Sequence, residues 1–248
     1  MNSPVYTMWL RQVKKYLRSK PRMIGSLGQP ILFLVALGFG LGSLYQSANG
    51  GNFIDFLAPG IIAMSILFTS MFTGIEVIWD RQFGFLKETL VAPVTRFKIM
   101  FGRTLGGATT GIFQGILVLI IAAIIGFRPE LALIPLSIIF MILIGLFFTS
   151  LGTAIASKLE DMQGFNLIMN FLVMPLFFLS GALFPLQDAP EFLKIISYFD
   201  PLTYGVDGLR ATLTGMSQFG IGLDLVVCTV LTLIVLWIGA KLFSDIQI

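Results

Sequence analysis

Histidine is absent from this chain of 248 residues, and cysteine occurs once, at Cys228. The first absence removes the commonest metal ligand and the commonest proton shuttle near neutral pH. With them go a haem-ligating membrane protein of the usual kind and any Ser-His hydrolase. The second excludes a disulfide framework and a thiolate metal site. Charge is scarce too: 12% of the residues are Asp, Glu, Lys or Arg, against roughly a quarter in a soluble globular domain. No Gly-Lys pair occurs anywhere, so the G-x-x-x-x-G-K-[ST] loop that cradles phosphates is missing and ATP hydrolysis by that route is excluded. Neither a buried nucleophile-base pair nor an intramembrane pair of acids stands out, and no catalytic residue or metal ligand is assigned.

What the chain has in abundance is apolar surface, 56% of its residues. Six apolar runs, about 23–44, 57–79, 104–127, 131–156, 165–184 and 225–243, are each long enough to cross a bilayer as a helix, for which about 20 residues are needed. The expected fold is all-α: a polytopic membrane protein of six transmembrane helices in a single transmembrane domain, with no room for a second, soluble one. Residues 1–22 hold six basic residues and no acid, with Val5, Trp9, Val13, Tyr16 and Leu17 at helical spacing. That pattern describes an amphipathic helix in the headgroup region, retained rather than cleaved as a signal.

The formal charge of +3 would suggest nucleic acid in a soluble protein. Here its distribution sets topology instead, and no nucleic-acid partner is expected. Besides the six N-terminal cations, Arg81, Lys87, Arg96, Lys98 and Arg103 follow the second run, and Lys158 and Lys241 fall on the same side. Only Arg128, Lys194 and Arg210 fall on the other. The positive-inside rule then places both termini in the cytoplasm. The outer side carries a Gly/Ser/Asn-rich turn at 45–56 and a long segment, 185–224, too polar to span and too apolar to be freely solvated. Short helices packed in or near the outer leaflet, or a re-entrant pair, are expected there, the second starting at Pro201.

The longest charged interruption is 80–103. Phe83, Leu86 and Leu90 fall on one face of a short helix, with Arg81 and Glu88 opposite, and Pro93 stops it near Ala92. Gly84 costs helix propensity and so marks a bend or a close contact. Within the spans, Glu76 is expected to reach the interface about a turn away. Gln163, Asn166 and Asn170 share a face of the fifth helix, and Ser65, Thr69 and Thr73 line the second, which interhelical hydrogen bonding would explain. Gly102, Gly106, Gly107, Gly111 and Gly115 give small-xxx-small spacing in the third helix, a signature of close helix packing. Pro175 should kink the fifth.

The string Trp79 to Arg96, with Gly84, Leu86-Lys87-Glu88-Thr89-Leu90 and Pro93-Val94-Thr95-Arg96, resembles the cytoplasmic coupling segment of type-2 ABC transporter permeases. A second block agrees: Asn170, FFLSGALFP from Phe177 to Pro185, Pro190, and DPLTYGVDGLR from Asp200 to Arg210. The likeness runs in order over almost the whole chain and is nearest in pattern to daunorubicin-resistance-type exporters. Gly84 and Pro93 are nine residues apart, closer than in importer-type coupling loops.

The resemblance implies a permease subunit in the plasma (inner) membrane, paired with a second permease subunit and driven by a separate ABC ATP-binding subunit. That partner would bind ATP and Mg, leaving no cofactor in this chain. It implies coupling to the ATPase through Arg81, Gly84, Lys87, Glu88, Thr89, Pro93 and Arg96. It also implies a substrate cavity between the second and fifth helices, for which Phe72, Asn166, Asn170 and Phe177 are the candidates. Mostly apolar walls suit a hydrophobic or amphipathic cargo, a drug or a lipid-like molecule, moved outward. An ion-coupled carrier and a non-transporting assembly scaffold are the alternatives.

Overall fold

The computed structural model describes residues 3–42, Tyr45 and residues 52–246. Among them there is no strand, and six helices are long and apolar enough to cross a membrane. An amphipathic helix α1 (Pro4–Arg18) is followed, after a break at Ser19, by α2 (Lys20–Gly40). Then come α3 (Phe53–Gln82), the short α4 (Phe85–Val91) and α5 (Arg96–Ile125). A 3-10 turn leads into α6 (Ile134–Lys158), and α7 (Met162–Leu179) is interrupted by a π turn at Met169–Val173. Two short helices, α8 (Glu191–Tyr198) and α9 (Pro201–Thr214), precede α10 (Ile221–Ser244).

The spans are α2, α3, α5, α6, α7 and α10. Up to Glu76, α3 is mostly apolar all round and is enclosed accordingly, with α2, α5, α6 and α9 packed against it. α2 and α10 are also apolar, yet leave Ile24, Leu32, Phe39, Val226, Leu233 and Trp237 facing outward. Such side chains find their solvent in a bilayer core.

Lipid tails are as apolar as leucine, so helix association here rests on close contact rather than on escape from water. The tightest backbone-to-backbone approaches involve α3. At Gly74 an added Cβ would sit 2.5 Å from the carbonyl carbon of Gly152 on α6, and Gly60 abuts the Ala182 backbone in the same way. The α5 glycines divide among three neighbours. Gly102 and Gly106 receive Val5, Met8 and Gln12 of α1, whereas Gly107 receives Thr149 of α6 and Thr73 of α3, and Gly111 receives Ser70 of α3. α1 therefore does more than float among headgroups: it lies in a groove of α5. Trp9 Nε1 donates to Thr109 Oγ1 at 3.0 Å, and Tyr16 Oη donates to Gln114 Oε1 at 2.5 Å.

Several boundaries move. α3 runs to Gln82 and α5 begins at Arg96, so the charged interruption expected over 80–103 shrinks to a link of about a dozen residues. The reason is that Asp80 and Arg103 pair with each other and can stay within their helices. Of the first span as expected, Ser43 and Leu44 lie outside the described residues, as does half of the expected 45–56 turn, residues 46–51. α3 opens on Asn52, whose side chain accepts from the Ile54 amide at 3.1 Å. Pro175 acts through the π turn: it has no N–H for the Phe171 carbonyl, and just before it the Met174 amide reaches back five residues to Met169.

At the end of the bundle away from α1, α9 starts at Pro201 and is buried against α3, α6 and α10. Arg210 donates to the carbonyls of Phe56 (3.4 Å) and Gly181 (2.9 Å), its guanidinium 4.0 Å from the Phe56 ring centroid. That single side chain ties the start of α3 to the end of α7. Asp207 accepts from the amides of Gln218 and Phe219 and from Ser217 Oγ, closing the turn between α9 and α10. Asp200 caps α9 by accepting from the Leu202 amide at 2.9 Å, but burial pushes its carboxyl up to about 7, an effect that this hydrogen bond only partly offsets.

Two outcomes follow. Gly74→Val should place a side chain inside the α6 backbone and cost about 3 kcal/mol or more, read as loss of a monodisperse peak on size-exclusion chromatography in detergent, whereas Gly25→Ala, with nothing within 4 Å of the new carbon, should be neutral. Between the ordinary aspartate value and about 7, the folded chain holds the Asp200 proton that the unfolded chain has released. Stability should therefore fall as pH rises across that window, and Asp200→Asn, which keeps the cap, should flatten the dependence of the melting temperature on pH.

Candidate functional site

The end of the bundle that carries α1 holds a buried charge network built on α3. Glu76 and Asp80 lie four residues apart, on one helical face, and each is only 4% exposed. From α1, Arg11 donates to Asp80 at 3.1 Å and Lys15, one turn on, to Glu76 at 3.1 Å. Arg22 at the start of α2 reaches Glu76 at 2.6 Å, and Arg103 of α5, itself 2% exposed, reaches Asp80 at 2.7 Å. Lys15 also lies 5.7 Å from the Trp79 ring and Arg11 6.0 Å from that of Phe85, close enough for cation–π attraction. Glu76 is thus enclosed and paired rather than reaching the interface. A lone carboxylate on an apolar span would need that escape; a basic α1 folded back against α5 makes it unnecessary.

Beside this network a cavity of about 790 Å³ opens between α2, α3 and α7. Lys15, Tyr16 and Arg22 stand at its α1 end. Met64, Phe68, Phe72, Ile75, Met169 and Met174 form most of its wall, and Gln29, Ser65, Thr69, Asn166 and Asn170 supply neutral polar groups. Three of the four cavity candidates, Phe72, Asn166 and Asn170, therefore line one space. Phe177 does not: it is fully buried, edge-on to Phe68 at 6.2 Å. The π turn begins at Met169, with Asn170 as its second residue, and ends before Phe177, and the extra residue in that turn rotates Phe177 off the face that carries the two asparagines. Gln163 is exposed outside the cavity, and Thr73 is spent on the contact with Gly107.

The seven residues of the expected coupling stretch separate into two groups. Arg81 donates to the carbonyls of Ser157 and Leu159, both at 3.0 Å, and so closes the C-terminal end of α6. Arg96 does the same for α10, donating to Ser244 and Ile246. Between them, Gly84 takes the left-handed conformation at φ +80° with open space around it, so it is a bend and not a close contact. The bend turns α4 so that Leu86 is buried and Leu90 half-buried, while Lys87, Glu88, Phe85 and Val91 are exposed. Phe83, expected to share the inner face, is 72% exposed because the helix breaks beside it. Thr89 Oγ1 donates to the Phe85 carbonyl at 2.9 Å, and Pro93 sits in the exposed bend that follows.

Six spanning helices with a cavity of mixed lining open between three of them define a multi-pass membrane protein of the permease class. The chain belongs to the ABC-2 type transporter family, whose model matches residues 4–214. It is 30% identical to nodulation protein J of Rhizobium leguminosarum bv. viciae over 195 residues, 78% of this chain and 75% of that one. It is 27% identical to nodulation protein J of Rhizobium meliloti (strain 1021) over 205 residues, 82% and 78% of the two chains. It is 24% identical to the inner membrane transport permease YadH of Escherichia coli (strain K12) over 224 residues, 86% and 83% of the two chains.

Because breaking a buried ion pair leaves a charge uncompensated, Arg103→Met should cost about 3–5 kcal/mol. Arg103→Met combined with Asp80→Asn should recover much of it. A double-mutant cycle on the melting temperature of the detergent-solubilised protein reads the coupling.

Proposed function

We propose that the protein is the membrane subunit of an ATP-driven exporter, working as a homodimer or heterodimer with a second permease subunit and powered by a separate ATP-binding subunit. Its family membership supports a permease of an ABC system. The observation that carries the finer reading is the cavity between α2, α3 and α7, which combines an apolar wall with neutral amides and a cationic end. Such a lining suits a hydrophobic or amphipathic cargo, drug-like or lipid-like. The excess of lysine and arginine at the α1 end favours a cytoplasmic position for that end in the plasma (inner) membrane, with α9 outside.

In this arrangement α4 is the contact for the ATP-binding subunit. It offers Lys87, Glu88, Phe85 and Val91 outward, is fastened through Leu86, and joins α3 across the Gly84 bend. Arg81 and Arg96 then act as braces, fixing the ends of α6 and α10 beside the motor contact. ATP and Mg are expected in the partner, in keeping with the absence of a P-loop here.

Two measurements test this. Expressed with candidate ATP-binding subunits from the same cell, the chain should co-purify with one that carries a P-loop, and a purified chain alone should show no nucleotide hydrolysis. Gly84→Val forces a β-branched side chain into a left-handed backbone at a cost of roughly 1–2 kcal/mol, and it should uncouple nucleotide hydrolysis from transport while leaving membrane insertion intact. Transport driven by an ion gradient in liposomes, with no nucleotide and no second protein, would refute the proposal.

A further inference from the structure

The cavity has a chemical polarity that a purely apolar cargo would not need. At its α1 end Lys15 and Arg22 share one carboxylate, Glu76, whose two oxygens each take one of them. Two cations on one anion leave a net positive charge. An ammonium has three donors and a guanidinium five, and Glu76 occupies one donor of each. Both side chains remain about one-third exposed, at 37% and 29%, and both border the cavity. From Glu76 the wall continues along α3 to Met64, twelve residues on, a length of about 18 Å at the rise of an α-helix, through Phe72 and Phe68.

Charge at one end and an apolar trough behind it describe the two halves of one kind of molecule. The geometry points to an anionic amphiphile as the occupant: a lipid whose phosphate-class head is held between Lys15 and Arg22, with its chain laid along Phe72, Phe68 and Met64. This rests on the reading of the cavity as the cargo site and names the class of cargo. Glu76 serves as a resident counter-ion that keeps the two cations in place when the site is empty and reduces their pull on the head.

Trp79 borders the cavity beside Lys15 and reports on it directly. The variant Trp9→Phe, Trp237→Phe leaves Trp79 as the sole tryptophan of three, and bromine-labelled lipids quench it on contact. In mixed micelles, dibrominated phosphatidylglycerol should quench it saturably at a lower mole fraction than dibrominated phosphatidylcholine, by about fivefold for each cation that meets the head. Arg22→Gln should reduce that preference and Glu76→Gln should increase it. A merely structural role for the pair would move both variants the same way, through loss of folding. Equal quenching by the two lipids, or variants that shift together, overturns the inference.

Inorganic phosphate separates the two sources of the head group. A preference that survives millimolar phosphate supports a lipid ligand, and protection of Trp79 by phosphate alone overturns it in favour of a free anion. Co-purification of the ATP-binding subunit with the same variants is scored separately. If lipid preference is absent while the partner still binds, the inference alone fails. If the partner never binds, the exporter reading fails and the lipid result stands by itself.

Discussion

Glu76 and Asp80 project from one end of a helix that is otherwise walled in by apolar neighbours, and an ionised carboxylate is tolerated there only with counter-charge and hydrogen bonds close at hand. Those needs are met from three directions, by α1, α2 and α5. The consequence reaches beyond the four ion pairs. Arg11 and Lys15 hold α1 in the groove of α5. Arg22 holds the first turn of α2 against α3, while the rest of α2 stands far enough from α7 to leave a cavity. Removing the two acids would leave four cations with no reason to converge, and the mouth of that cavity would have no fixed shape.

The opposite end is ordered by backbone chemistry. Gly60 lets the Ala182 backbone approach, and Arg210 spends its guanidinium on two carbonyls, that of Gly181 just past the end of α7 and that of Phe56 in the first turn of α3. Arg81 and Arg96 repeat the device at the α1 end, on the last carbonyls of α6 and α10. Orphan carbonyls at helix ends are costly to bury in an apolar setting, and arginine, with five donors in a planar fork, can close two at once. Three scattered arginines thereby do one job, and charge that reads from sequence as loop decoration is internal fastening.

The six spans, the helix starting at Pro201 and the short helix before Pro93 are legible in the sequence because each has a local cause: a run of apolar residues, a proline at a first turn, a proline stop. The close packing of the α5 glycines is legible as packing, but its assignment to α1 on one side and to α3 and α6 on the other is not, since spacing alone names no partner. Phe72 and Asn166 fall on the cavity from regular helix and Asn170 from the start of the π turn; Phe177, beyond that turn, misses it because the extra residue breaks the count. The convergence of Lys15 and Arg22 on Glu76, and of Arg11 on Asp80, escapes a span-by-span reading. Its signal is present, a basic pair at 11 and 15 and an acidic pair at 76 and 80 with the same four-residue spacing, but it appears only when two helices sixty residues apart are compared.

α7 is secured at both ends, by Arg210 on the Gly181 carbonyl and by Arg81 on the Leu159 carbonyl just ahead of it. A rod clamped at both ends cannot swing like a door; it can only bow, and it bows where its section is weakest. In α7 that section is the π turn at Met169–Val173, where the regular i to i+4 bonding is interrupted next to Pro175. Met169 and Asn170 of that turn and the neighbouring Met174 all border the cavity. The two clamps thus leave the middle of the cavity wall, rather than its ends, as the part of α7 least held by regular bonding.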